Sequence, residues 1–247
     1  MTRVEEQQKR VSLSRDTVKY LAVFFMLLDH IAWYFLPFRT PLAQIFHILG
    51  RITAPVMCFF LAQGVRYTRS VSRYLLRLLI FAAIAQVPWW YFHRDSKLSL
   101  NMLFTLFLCL LMLYIDRSDL PVAVHAAGVV LCIAATSYCD WAIHAPLFCL
   151  VFYHLHSDRK KEILGFSAVA LSYFGKAVIR RLGWNYTPQR ALTESLFTLG
   201  VFLALPLLYL TDESKRPEKR SAFSKWFFYV FYPLHLGILA LIKYLTQ

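Results

Sequence analysis

Acidic residues are scarce in this chain, with 14 Asp and Glu against 27 Lys and Arg in 247 residues, a formal net charge of +13. Glycine is scarcer still at 8, and the 5 cysteines (Cys58, Cys109, Cys132, Cys139 and Cys149) have no paired spacing. That spacing argues against a disulfide framework or a zinc cluster and leaves the cysteines as packing residues, with no metal expected. No phosphate-cradling glycine loop or dinucleotide fingerprint occurs. There is also no internal repeat, and the lack of repeats and glycine-broken helices weighs against a secondary transporter. Nor is there a domain-sized polar stretch: the longest soluble-looking piece runs from Thr211 to Lys225.

What is present is apolar. Hydrophobic residues make up 58% of the chain, and the mean hydropathy is +0.49, well outside the soluble norm. Crossing about 30 Å of hydrocarbon takes roughly 20 apolar residues. The sequence divides into about nine such segments: 17–36, 42–65, 74–92, 99–115, 120–137, 141–155, 162–179, 192–210 and 226–245. In a soluble protein the positive charge would suggest nucleic acid, but here the basic residues fall in alternate loops. One set of loops holds 18 of them and the opposite set with the tail 7, with Arg51 and Lys176 left inside spans. The positive-inside rule then places the amino terminus in the cytoplasm and, with an odd number of spans, the carboxyl terminus outside. The expectation is an all-α, polytopic transmembrane bundle forming one domain over 1–247. Residues 1–16 are read as a cytoplasmic segment and 211–225 as a cytoplasmic loop. Its medium is the lipid bilayer, and no nucleic-acid partner is expected.

Asp29 and His30 sit about two-thirds along the first span. A charge near the middle of a bilayer costs roughly 2.5–3.5 kcal/mol on the mildest scales, so a chain retains one there to pair it or to use it. At about 1.5 Å rise per residue, Asp29 lies about 18 Å from the cytoplasmic face, Gln86 about the same, and Arg51 about 14 Å in from the other side. His235 falls near the midplane of the last span. Asn101, Asp140 and His144 enter from the outer end, the last two spaced one helical turn apart. These residues predict a polar cavity in the middle-to-outer part of the bundle.

Adjacent helical residues point about 100° apart, so Asp29 and His30 require partners on other helices. Asp29 is expected to pair with Arg51. His30 is expected to face the reacting groups, where a near-neutral imidazole suits proton transfer. His47 shares a helix face with Arg51, Gly50 allows close approach of a helix or ligand, and Pro55 introduces a kink. Each residue also has a plainer reading: an ion-pair staple for Asp29 and Arg51, packing for the histidines, interhelical amide bonding for Gln86 and Asn101, and an exposed role at a span end for Asp140.

Four runs in order, LLDHI (27–31), HILGRITAPVMCFFLAQGVRYTRSVSRYLLRLLIFAAIAQVP (47–88), LNMLFTLFL (100–108) and FFYVFYPLHLGILAL (227–241), resemble the TraX family. The motif-borne positions are Asp29, His30, Gly50, Arg51, Pro55, Gln86, Asn101, Tyr232 and His235. Ser137, Tyr138, Cys139 and Asp140 stand where members often show aspartate, tyrosine and glycine together, a departure at the connection between the fifth and sixth spans. The resemblance implies a bacterial inner-membrane acetyltransferase that takes acetyl groups from acetyl-CoA. Its acceptor would be an amine or hydroxyl, with the amino terminus of pilin the best-known case and another membrane or envelope molecule also open. On this reading His30, Asp29, Arg51 and His235 are catalytic, while His47, Gly50, Gln86, Asn101, Tyr232, Asp140 and His144 bind substrate. Gln86 or Asn101 would donate to an oxyanion. Arg66, Arg69 and Arg73 would meet the donor's charged end, although topology alone also accounts for them. A proton-coupled transporter and a non-catalytic pilus assembly factor remain the competing classes.

Overall fold

A computed structural model of the protein describes residues 12–68, 70–92, 99–211 and 222–246. Arg69 lies outside them. The described residues are helical apart from short connections and two isolated bridges. In order, the helices are α1 (Arg15–Phe35), α2 (Pro41–Gly50), α3 (Thr53–Tyr67), α4 (Val71–Phe92), α5 (Met102–Asp116), α6 (Val122–Ala135), α7 (His144–His154), α8 (Arg159–Leu182), α9 (Pro188–Thr193), α10 (Ala204–Tyr209) and α11 (Ala222–Thr246). Two 3-10 segments, Thr136–Tyr138 and Leu196–Leu203, join them.

Local chemistry fixes several helix starts. Ser14 caps α1 by accepting from the Thr17 amide, Asn101 caps α5 by accepting from Leu103, and Asp158 caps α8 by accepting from Lys160 and Lys161. α2 opens with Thr40 as cap and Pro41 in its first turn, where a missing N–H is harmless. The α2–α3 segment breaks at Arg51 and Ile52, four residues before Pro55. A proline removes the bond to the carbonyl four residues earlier and clashes with it, so the expected kink takes the form of a break at Arg51 itself.

Among the described residues, six helical segments are long and apolar enough to cross a membrane: Arg15–Phe35, Pro41–Tyr67, Val71–Tyr91, Arg159–Leu182, Pro188–Tyr209 and Trp226–Thr246. The protein is therefore a multi-pass membrane protein. The expected fourth and fifth spans are the shorter apolar helices Met102–Asp116 and Val122–Tyr138. The expected sixth contracts to the 11 residues of α7, about 16 Å against about 30 Å of hydrocarbon. These elements are short because backbone leaves the helix inside the bundle, at 99–101 and 139–143. Such backbone survives at membrane depth only where protein or a cavity satisfies it. Here Leu100 donates to Tyr138 O and Asp140 donates to Leu100 O, both at 2.9 Å, closing a small bridge. Asp140 thus sits in this turn and His144 begins the next helix, so the two do not share a helical face as their spacing suggested.

The core runs through the middle of the bundle, with α1 against α2, α3 against α7, and α4 between α5 and α11. Two glycines permit the closest approaches. A Cβ on Gly50 would stand 2.3 Å from Asp29 Cβ, and one on Gly200 would stand 2.3 Å from Ile48 O. α2 is therefore pressed between α1 on one side and the 3-10 segment on the other.

Candidate active site

The close contact at Gly50 brings the Asp29 carboxylate against α2. Asp29 Oδ1 accepts from His47 Nδ1 at 2.8 Å, and Oδ2 accepts from an Arg51 Nη2 in direct contact. All three side chains are buried. Arg51 also donates through Nε to His47 O at 3.3 Å and through Nη1 to Tyr173 Oη at 3.0 Å. Its guanidinium lies over the rings of Trp141 and Phe197, at 5.3 and 5.5 Å from their centroids. Buried charge is tolerable when it is paired and its remaining donors are bonded. Here the pairing also fixes the orientation of the guanidinium.

His30, one position along α1, turns the other way, as the 100° step requires. Its Nδ1 is 2.7 Å from His235 Nε2, with the rings stacked at 5.0 Å and 11°. His235 Nδ1 donates to Phe231 O at 2.9 Å. A carbonyl can only accept, so neutral His235 presents its Nε2 lone pair to His30, and His30 donates from Nδ1. The basic lone pair of neutral His30 is then on Nε2.

Both arms border one cavity of about 570 Å³. Of the residues expected at a polar cavity, Asp29, His30, Gly50, Arg51, Asp140, His144 and Tyr232 line it. The turn that carries Asp140 is strained: Trp141 and Ala142 have φ of 63° and 37°. Left-handed backbone at residues other than glycine costs about 1–3 kcal/mol each and clusters at functional sites. Trp141 uses the bend to stack on Tyr173 at 4.8 Å and 19°, bracing the hydroxyl that Arg51 contacts.

Several expected site residues take other places. His47 is fully buried between Trp33, Phe38 and Phe197 and orients Asp29 without reaching the cavity. His235 does not itself line the cavity and bonds to it through His30. Gln86 and Asn101 hold the broken backbone together. Gln86 Nε2 donates to Ser99 O, its Oε1 accepts from both the amide and Nδ2 of Asn101, and Asn101 Nδ2 also donates to Ala82 O. With their donors committed there, neither amide lines the cavity, and the oxyanion-donor role expected of them has no geometric support. Arg66 donates to Phe152 O and Tyr153 O at the end of α7, and Arg73 is exposed; neither lines the cavity.

Residues not singled out from sequence also line the wall, among them Tyr34, Tyr173, Lys176 and Arg181. Lys176 carried a signal, as one of two cations left inside a predicted span, and Tyr173 stands three residues before it on the same helix face. Tyr34 and Arg181 offered nothing to separate them from ordinary interfacial residues. Among the described residues, no group of three or more His, Cys, Asp or Glu side chains is placed to hold a metal ion.

Residues 14–243 match the family model described as TraX protein. The chain is 30% identical over 249 residues to the "Probable fimbrial assembly protein FimC, serogroup H1" of Dichelobacter nodosus, an alignment that covers 97% of this chain and 99% of that protein. No solved structure matches.

Proposed function

The chain belongs to the TraX family, and on that premise we propose that it is a bacterial inner-membrane acetyltransferase serving pilus assembly, transferring an acetyl group from acetyl-CoA to an acceptor amine, with the pilin amino terminus as the best candidate. The observation that carries this reading is the convergence of the His30–His235 pair and the Asp29–Arg51–Tyr173 chain on one cavity. The first can move a proton and the second can meet developing negative charge.

An amine acceptor is a cation near neutral pH and must lose a proton before it can attack. His30 Nε2 is the base, and His235 holds the tautomer that puts the lone pair there. The amine nitrogen bonds to the thioester carbonyl carbon, whose oxygen gains negative charge. Arg51 already donates to Tyr173 Oη, which strengthens the phenol as a donor to that oxygen. The ammonium's first proton passes to solvent before attack; His30 takes the second from the nitrogen as it bonds to carbon and gives it to the thiolate as the carbon–sulfur bond breaks, so the thiol leaves, the amide is neutral and the imidazole is restored. The positive-inside rule keeps the amino terminus and the start of α1 in the cytoplasm, so the cavity opens toward the outer half of the membrane.

The Dichelobacter relative, named as a probable fimbrial assembly protein, favours a second reading, in which the chain assists pilus assembly without chemistry. Incubating the purified full-length protein with acetyl-labelled CoA and a peptide copying the pilin amino terminus distinguishes the two. Label on the peptide, lost in His30→Ala, is the expected result. No thiol release and no labelled peptide from folded protein would leave the assembly factor standing.

A further inference from the structure

A second cavity, of about 530 Å³, lies at the opposite end of α1 from the candidate active site and has a different character. Arg15, Lys19 and Arg77 line it, with Asp16 as the carboxylate among them. Arg15 is only 4% exposed. Its Nε and Nη1, and Nε of Arg77, are buried without a hydrogen-bond partner among the described residues. The faces of these cations are occupied: Arg15 lies 5.2 Å from the Phe60 centroid, Lys19 4.9 Å from the same ring, and Arg77 5.7 Å from Tyr74 and 5.9 Å from Tyr229. A guanidinium stacked on a ring keeps its N–H edge for in-plane acceptors, the geometry that suits phosphate oxygens. Buried guanidinium N–H groups with no acceptor are costly, and an anion reaching them would supply one.

Met26, Thr53, Met102 and Tyr232 line both cavities. Three of them present slender or apolar side chains, and Tyr232 commits its hydroxyl by accepting from the Met102 amide. A narrow, largely apolar arm fits such a junction, whereas a charged group does not.

We propose that this second cavity binds the phosphate groups of the acyl donor through Arg15, Lys19 and Arg77, and that the donor's thioester arm passes between Met26, Thr53, Met102 and Tyr232 to reach His30. The identity of the ligand rests on the acetyl-transfer reading, while the anion site rests on the cavity itself. The proposal moves the donor's charged end away from Arg66 and Arg73. It also supplies a path from the cytoplasmic end of α1 to a site in the outer half.

The test uses full-length protein in phosphatidylcholine nanodiscs and measures binding of labelled, unacetylated CoA. Arg77→Gln and Arg15→Gln each weaken binding about ten- to a hundredfold, the range for a lost charge-assisted contact. Inorganic pyrophosphate competes, and raising salt weakens binding in the wild type more than in either variant. If Arg15→Gln fails to fold, Arg77→Gln and the competition decide. Unchanged affinity in Arg77→Gln, or a larger loss in Arg73→Gln, overturns the proposal. So does CoA binding that vanishes in phosphatidylglycerol discs for the wild type but not for Arg77→Gln, which identifies a lipid headgroup as the occupant. CoA binding with these dependences but no acetyl transfer would sink the enzymatic reading and leave the anion site standing. Transfer that persists with indifferent arginines would do the reverse.

Discussion

Around Asn101 and around Asp29 the bundle buries two polar clusters of similar size, yet they use their hydrogen bonds in opposite ways. The Asn101–Gln86 amides bond to each other, to Ala82 O and to Ser99 O, and neither side chain borders the cavity. Asp29, Arg51 and Tyr173 also bond to one another, but all three line the cavity wall. Burial of polar groups in a membrane protein is therefore not enough to identify a site. What separates a staple from a site is whether the ordered groups face a space that a substrate can enter. The comparison can be broken at either cluster.

The largest effect is expected from Asp29→Ala. It leaves the Arg51 guanidinium buried without its counter-ion, a loss of about 3–5 kcal/mol for a broken buried pair, and it frees His47 Nδ1 as well. Thermal unfolding in detergent should show the drop together with loss of acetyl transfer. An unchanged melting temperature would mean that the pair is not formed in the membrane. His30→Ala comes next and separates the clusters most cleanly. Transfer should fall by about 10²–10⁴, the usual contribution of a positioned acid–base group, while melting changes little because His30 is only partly buried. Asn101→Ala should do the opposite. Losing the α5 cap and the latch on Gln86 destabilises by about 1–3 kcal/mol, with transfer per folded molecule near wild type. If Asn101→Ala instead lowered transfer without affecting melting, the distinction between staple and site would fail.

The membrane class and the pairing of Asp29 with Arg51 were legible because hydrocarbon makes ionisable residues conspicuous against apolar neighbours. Counting helical rise placed Asp29 and Arg51 at one depth, and they are in contact. The same counting erred where the chain leaves the helix. It assumed continuous helices through 99–115 and 141–155, so it set Asp140 and His144 on one face and gave Asn101 a cavity role. The non-helical backbone at 99–101 and 139–143 is stabilised by bonds between distant segments, such as Leu100 to Tyr138, which no local pattern announces. The aromatic supports of the site, Trp141 and Phe197 against Arg51, were hidden for a related reason. Among 41 aromatic residues, interfacial and packing roles look alike until the helices are placed.

Pro55→Ala is the smallest of these perturbations and tests how Arg51 is aimed. The helix break at Arg51–Ile52 has two sufficient causes: the N–H that Pro55 lacks, and the pull of Asp29, His47 O and Tyr173 on the Arg51 side chain. An alanine restores a donor for Arg51 O and lets the ladder of α2 and α3 join. If proline sets the break, the helix straightens, Arg51 rotates away from Tyr173 and transfer falls severalfold. If the side-chain network sets it, the break persists, since joining the ladder recovers only about 0.5–1.5 kcal/mol against a buried ion pair of larger consequence. The network is the stronger term, so the expected result is a stability change within about 1 kcal/mol and nearly normal transfer. A clear loss of transfer with intact melting would show instead that the backbone, and not the ion pair, holds the guanidinium at the cavity wall.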